Sequence, residues 1–368
     1  MAYRVPFVDP SRHYLKLKDE IDAAITGCLS KGDLIMRSQL KDFEKNFASF
    51  VGTKYAVGLN SGYHALALSL QAAGIGAGDE VIIVAHTFVA SISAIVHCGA
   101  TPVLVDVGKD YNMNMDELEP ALTPRTRAVL PVHLNGRVCD MDRLMEIAKK
   151  HNLLVIEDAA QSVGGKYNGK IAGSFGLAGC FSHYPFKILS GFGDGGTLTT
   201  DDPDIARKTT LLRYNGEDRE TGEYYYHGYT CLLDNVQAAV LDVKLKHLPA
   251  WIKRRREIAE LYRQGLSDID DLFLPHFEGE KYFDVYQNYV IRTKKRDDLY
   301  NYLKEQGVET LIHWRKPVWE HKRLNLGQHN LPETESICKE VISLPMSGET
   351  TDEHVEYTVK CIRNFFKS

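Results

Sequence analysis

Several common classes of protein are excluded by what this sequence lacks. Its seven cysteines (Cys28, Cys98, Cys139, Cys180, Cys231, Cys338 and Cys361) are odd in number, scattered, and include no C-x-x-C pair. That pattern argues against a disulfide framework and against structural zinc. No apolar run approaches the roughly 18–20 residues of a membrane span, and no apolar signal-peptide core follows Met1 to Pro6. A cytoplasmic protein with no membrane partner is therefore expected. Basic residues are not in excess: 44 Lys and Arg stand against 49 Asp and Glu, a formal net charge of -5. A nucleic-acid binder would show a clustered basic excess instead. There is no internal repeat and no low-complexity tract. What remains is 368 residues, 44% of them hydrophobic, enough to bury a substantial core without covalent help. At roughly 150 residues per domain, two domains are expected.

The first two-thirds alternates short apolar strands with amphipathic helices. Strands are predicted at Tyr55–Asn60, Val81–Ala85, Pro102–Val107, Ala128–His133 and Leu153–Glu157, and helices at Tyr63–Ala73, Val89–His97, Met115–Leu122 and Met141–His151. Near-continuous apolar strands separated by helices imply an α/β protein with a mostly parallel sheet covered on both faces. From Pro203 to Tyr262 the pattern is helical, interrupted by the tyrosine-rich stretch Tyr224–Tyr229. A strand (Tyr286–Arg292), a helix (Asp297–Gly307), a strand (Glu309–Trp314) and two helices (Thr334–Ile342, Asp352–Phe366) then suggest a smaller α+β domain. The boundary implied is a large domain over 1–248 and a small one over 249–368, hinged near Pro249.

Some motifs mislead. Gly74-x-Gly76-x-Gly78 follows a helix and precedes a strand, whereas a phosphate-binding glycine loop must follow a strand and open a helix. His133 and Cys139 lack the third and fourth ligands of a metal site, so no metal is expected. His321 and His329 lie among charged residues, as solvated side chains do.

Four features at strand ends converge on one chemistry. Asn60-Ser61-Gly62-Tyr63 is a strand, a turn and a helix start, offering backbone N–H groups to a phosphate; a plain N-cap by Ser61 is the alternative. Thr87-Phe88 puts an aromatic ring at the carboxyl edge of the sheet, where α/β folds bind ligands, although a core Phe would read the same. The apolar strand through Val155 ends in Glu157-Asp158, and a carboxylate there needs a cation or donors. Last, Lys187 lies between an apolar strand (Cys180–Ser182) and the glycine turn Gly193-Asp194-Gly195-Gly196, a setting that desolvates an amine and makes it nucleophilic. An anchored phosphate, a stacking ring, a carboxylate partner for a ring nitrogen and a reactive lysine are together what pyridoxal 5'-phosphate (PLP) requires.

In its ordered motifs the chain resembles the PLP-dependent sugar-nucleotide aminotransferases of the DegT/StrS type. The shared set includes Ser61-Gly62, Thr87-Phe88, Glu157-Asp158-Ala159-Ala160-Gln161, Phe181-Ser182 through Lys187, Gly193 to Gly196, and Asp234-x-x-Gln237-Ala238-Ala239. The resemblance implies an aspartate-aminotransferase-like fold (fold type I) and a homodimer with two active sites at the subunit interface. It implies Lys187 as the Schiff-base lysine, Asp158 as partner of the pyridine nitrogen, Phe88 as the stacking ring and Gln161 as a contact to the ring hydroxyl. Ser182 with the Ser61-Gly62-Tyr63 turn forms the phosphate site. His183, Phe186, Tyr229 and His313 are expected substrate contacts. The family's usual Gly-x-Asn-x-Arg-Leu-Asp is here Gly228-Tyr229-Thr230-Cys231-Leu232-Leu233-Asp234. Thr230 keeps one hydroxyl hydrogen bond for a neighbouring subunit's cofactor, but Leu232 cannot replace a guanidinium.

The activity implied is amino transfer from L-glutamate, leaving 2-oxoglutarate, to a nucleotide-linked keto-sugar. Gly-Asp-Gly-Gly after the lysine goes more often with amination at carbon 3, so a 3-keto-6-deoxyhexose is favoured over a 4-keto one. A sugar dehydratase of the same fold would typically carry histidine at the lysine position. A PLP-binding regulatory protein without turnover is the reading from a different class.

Overall fold

The computed structural model describes residues 3–275 and 279–367. Its helices are α1 (Pro10–Lys16), α2 (Lys18–Leu29), α3 (Ser38–Val51), α4 (Gly62–Ala72), α5 (Val89–His97), α6 (Met141–Lys150), α7 (Pro203–Leu212), α8 (Asn235–Leu266), α9 (Arg296–Glu305), α10 (Pro332–Glu340) and α11 (Asp352–Lys367). The strands in the first half are β1 (Tyr55–Leu59), β2 (Glu80–Val84), β3 (Thr101–Val105), β4 (Thr126–Leu130), β5 (Leu154–Asp158), β6 (Lys166–Tyr167) and β7 (Lys170–Ile171). Those that follow are β8 (Ala178–Ser182), β9 (Gly196–Thr200), β10 (Glu217–Asp218), β11 (Glu223–Tyr224), β12 (Tyr282–Phe283), β13 (Tyr289–Arg292) and β14 (Val341–Leu344).

The main sheet has the order β1-β9-β8-β5-β4-β2-β3. Every pair from β8 to β3 is parallel, while β9 runs antiparallel to both its neighbours. One strand thus opposes six, close to the mostly parallel sheet that the apolar runs imply. Every residue of β2 is buried, as helices on both faces of a parallel sheet require. This direction of travel has a consequence for function. The carboxyl ends of β1, β2, β5 and β8 and the start of β9 share one edge, which gathers Ser61, Phe88, Asp158, Ser182 and the glycine turn.

A second core, separate from the one around the sheet, joins Val5, Ile258, Tyr262, Tyr289, Leu299, Ile342 and Ile362. It is built by the end of α8, the antiparallel pair β13–β14, α9 and α11. The N-terminal segment contributes by pairing Val5 with Val308.

The structure corrects four sequence expectations. Met115–Leu122 is only a 3-10 turn at Met115–Glu117, because Pro120 disfavours helix at the preceding residue. Glu309–Trp314 pairs with β14 only at Leu311, and Trp314 turns the chain away with φ 51. The helix expected to reach Ile342 stops at Glu340, and the β-branched pair Val341-Ile342 goes into β14 instead. Pro249 lies inside the 32-residue α8 and not at a break. Packing of α8 against α2, α3 and α11 offsets the N–H that proline withholds from the ladder. Among the described residues no helix is long and apolar enough to cross a membrane.

Candidate active site

β5 ends in two consecutive carboxylates, which the alternation of a strand sends to opposite faces. Glu157 is fully buried. Its Oε1 accepts the N–H groups of Phe175 (2.7 Å) and Gly176 (2.8 Å), and its Oε2 accepts those of Gly173 (2.7 Å) and His133 Nε2 (2.9 Å). The Cys139 N–H donates to His133 Nδ1 at 3.1 Å, so the imidazole proton sits on Nε2 and points at Glu157. Both His133 and Cys139, which looked faintly like metal ligands, are thereby structural. Asp158 is also buried, but among the described residues only the Ser91 hydroxyl (2.6 Å, to Oδ2) and the Ala160 N–H (3.1 Å, to Oδ1) hydrogen-bond to it.

Lys187 follows β8 in an irregular turn held by its own N–H to Tyr184 O (2.8 Å) and by Gly191 N–H to His183 O (2.8 Å). Burial holds its amine below the usual lysine range, and the charge of Asp158 partly opposes that. A depressed amine loses its proton nearer neutrality and can attack a carbonyl carbon. Phe186, Lys187 and Ile188 also border a cavity of about 230 Å³ whose other walls include His13, Lys244, Trp251 and Arg255.

The first turn of α4 meets β8 face to face. Ser61 is the N-cap, its hydroxyl accepting the His64 N–H at 3.1 Å. Its carbonyl accepts the Ala65 N–H at 3.1 Å, which leaves the first-turn N–H groups of Gly62 and Tyr63 aimed outward. A Cβ on Gly62 would stand 2.8 Å from Ser182 Cβ, so only glycine lets the turn approach that serine. The pair forms a small cup for an anion at a helix N-terminus. Phe88 is the N-cap residue of α5, tied to the same edge because Ser91, one turn later, binds Asp158. The residue is 58% exposed, an uncovered aromatic side chain at the same sheet edge.

Other expected site residues are placed differently. Gln161 Oε1 accepts the Asn135 N–H at 2.8 Å and lies 3.5 Å from Asn288 Nδ2. His313 is half-buried, shares a hydrogen bond with the Ser343 hydroxyl (3.2 Å), and is pushed down to about 4 by burial and then by Lys187. Phe186 is exposed, its ring edge-on to Tyr184. The Tyr63 hydroxyl turns away to His97 Nδ1 at 2.6 Å, so this residue can offer only its backbone to the anion cup. His183 lies in the core. Both its nitrogens are engaged, by Leu189 O (3.1 Å) and Thr197 Oγ1 (2.8 Å), and its ring packs on Phe43 and Phe47; it does not face a substrate. Tyr229 binds Gln71 Nε2 through its hydroxyl (2.7 Å), and Thr230 donates to Asn215 Oδ1 (3.0 Å), both exposed. Ser91, Asn135, Gln287 and Asn288 escaped the sequence reading. Each reaches the site from a distant segment through polar contacts that no local spacing announces.

The sequence profile of the DegT/DnrJ/EryC1/StrS aminotransferase family matches residues 15–363. The chain belongs to this family. This aminotransferase is 39% identical to the "Pleiotropic regulatory protein" of Geobacillus stearothermophilus, over 99% of each chain. It is 41% identical to the dTDP-3-amino-3,4,6-trideoxy-alpha-D-glucose transaminase of Streptomyces venezuelae, over 93% of this chain and 91% of the relative. The crystal structure of S. venezuelae DesV in complex with a ketimine intermediate superposes with a TM-score of 0.96 at 38% identity, covering 100% of both chains. The fold is therefore the type I fold of PLP-dependent aminotransferases, and PLP is the cofactor of the family. The residues present fit it. Asp158 has acceptor capacity to spare, Lys187 supplies a depressed amine, and the Gly62–Ser182 cup suits a phosphate.

Proposed function

We propose that this aminotransferase moves the amino group of L-glutamate to a nucleotide-linked keto-sugar, with Lys187 and Asp158 as its principal groups. The observation that carries the reading is a half-buried amine, its basicity lowered by burial and within electrostatic reach of a buried carboxylate whose acceptor sites the described residues fill only in part. PLP, when bound, supplies an electrophilic carbon and an electron-withdrawing ring. Asp158 holds a proton on the ring nitrogen, a charge-assisted contact in a poorly hydrated place. The Gly62 and Tyr63 N–H groups with Ser182 bind the phosphate, and Phe88 covers the ring face. Lys187 Nζ takes the proton from the glutamate α-carbon and later returns one to the carbon of the sugar that receives nitrogen. The presence of both Lys187 and Asp158 favours turnover over a purely regulatory role, even beside a relative named for regulation. The test is absorbance of the holoenzyme: bleaching of its visible band by glutamate and return with 2-oxoglutarate are expected, and indifference to both would refute transamination.

Carbon 3 is the favoured position of amination. Support comes from Gly193-Asp194-Gly195-Gly196 and from the S. venezuelae relative, whose name specifies a 3-amino sugar. Supplying 3-keto and 4-keto nucleotide sugars with glutamate and locating the C–N bond by NMR decides it; amination solely at carbon 4 would overturn this preference. Exposed Tyr224, Tyr225, Tyr226 and Tyr229 form an uncovered aromatic stretch, which supports a homodimer in which this loop lines the partner's site. Mixing a Lys187→Ala subunit with a Thr230-substituted one should restore one intact site per heterodimer. Activity no higher than either parent would refute sharing.

A further inference from the structure

The segment just before β13 touches the candidate active site with consecutive residues. Gln287, which is buried, spans the lysine turn: its Nε2 donates to Phe186 O at 2.9 Å and its Oε1 accepts the Ile188 N–H at 3.1 Å. Phe186 and Ile188 are the two neighbours of Lys187, so one primary amide grips the backbone on both sides of that residue. The next residue, Asn288, donates to Asn135 Oδ1 at 3.2 Å, and the Asn135 N–H in turn holds Gln161 at 2.8 Å.

The segment is itself firmly held. Tyr286 adopts φ 52, a left-handed conformation that costs a bulky residue and persists only where its surroundings impose it. Buried Arg255 of α8 imposes it, donating to Tyr286 O (2.9 Å) and Gln287 O (3.2 Å). The backbone of Gly136 lies so close that a Cβ there would stand 2.6 Å from Tyr286 N, and Val285 N–H bonds Gly136 O at 3.0 Å. Arg137 closes the arrangement with Asp284 at 2.8 Å.

We propose that Gln287 is a positioning residue for Lys187, fixing the peptide groups on either side so that the side chain swings from a rigid base. The proposal rests on the reading of Lys187 as the reacting amine. Lys187 sits in an irregular turn, where nothing in the β-ladder sets its position. An amide is the neutral group that offers a donor and an acceptor side by side, and asparagine would fall a methylene short. Proton transfer tolerates little misplacement, since about 1 Å can cost on the order of 100-fold.

Two variants test this. In Gln287→Leu both hydrogen bonds go, and kcat is expected to fall about tenfold or more while KM for glutamate stays within about twofold. In Gln287→Glu the carboxylate keeps the acceptor for Ile188 N–H but repels Phe186 O. Its protonated form restores the donor, so kcat relative to wild type should recover as pH falls. A purely structural role would not produce that pH-dependent rescue. Amide exchange of Ile188, read in the apoprotein, should speed up about fivefold or more in Gln287→Leu, the factor of one ordinary hydrogen bond. Unchanged exchange, wild-type kcat in both variants, or a Gln287→Glu profile parallel to wild type would each overturn the proposal. Wild-type enzyme inert to glutamate would count against the transaminase reading instead, and the exchange measurement would still judge the clamp.

Discussion

Glu157 and Asp158 are neighbours on one strand and both buried, yet the protein treats them in opposite ways. A carboxylate has about four acceptor positions. Glu157 fills four, with three backbone N–H groups and a histidine, all from this chain. Among the described residues Asp158 fills two, with Ser91 and Ala160. Burying a charge is tolerable only when its hydrogen bonds are made. The first residue therefore belongs to the fold, holding the loop at Gly173–Gly176 onto β5. The second keeps acceptor positions that no other described residue fills, which is what the proposed role as partner of a ring nitrogen needs. A saturated buried carboxylate and an unsaturated one mark structure and function more sharply than burial does.

The contrast can be broken most severely at Glu157. Glu157→Gln turns an amide NH2 group toward two of the four donors whichever way it lies and is expected to destabilise the fold by about 3 kcal/mol or more, read as a lower midpoint in urea. Unchanged stability would mean that the four contacts are not worth their geometry. Asp158→Asn comes next and should act the other way round. The expected outcome is a loss of turnover of about 100-fold or more, the scale of removing a preorganised charge, with little change in the unfolding midpoint. Near-wild-type turnover would remove Asp158 from the chemistry.

A smaller effect separates His183 from the site. Burial pushes its imidazole down to about 4, below the 6.5 or so of an unfolded chain. As pH falls from about 6.5 to about 4 the unfolded state takes up a proton that the folded state refuses. The folded state therefore loses up to about 3 kcal/mol across that window. His183→Phe keeps the ring against Phe43 and Phe47 and should flatten this acid limb, while lowering stability at neutral pH through the stranded Thr197 hydroxyl. Urea midpoints at pH 7 and pH 5 give the comparison; an equally steep loss in both proteins would show that His183 does not titrate as its burial demands.

These cases also show what the sequence could and could not reveal. The strands of the sheet and the residues at their ends were legible, because apolar runs, turn residues and strand-to-helix steps are local signals. Ser61, Phe88, Asp158, Ser182 and Lys187 lie in such signals, and the topology brings them to one edge. Ser91 was invisible because its contact with Asp158 spans 67 residues and depends on where α5 lands. Gln287 was invisible for the same reason, reaching Phe186 across 101 residues. His183 differs from its expected role because a histidine four residues before the lysine looks like chemistry, whereas it follows directly on β8 with its ring packed inward against Phe43 and Phe47. Trp314 and Pro120 show the converse, single residues whose backbone preferences end an element that hydrophobic pattern alone would continue.

The central claim is that Lys187 is the amine that carries the cofactor, and it has a rival. Lys244 is more deeply buried, is pushed down to about 8, and donates to Ser190 O at 2.8 Å within the wall of the cavity that Lys187 also borders. Depressed basicity alone would nominate it. Borohydride reduction of the PLP-loaded enzyme, followed by digestion and peptide mapping, distinguishes the two directly. The pyridoxyl group is predicted on Lys187 and to be absent from a Lys187→Ala variant that still folds. A pyridoxyl group on Lys244, or on any lysine other than Lys187, would contradict the account.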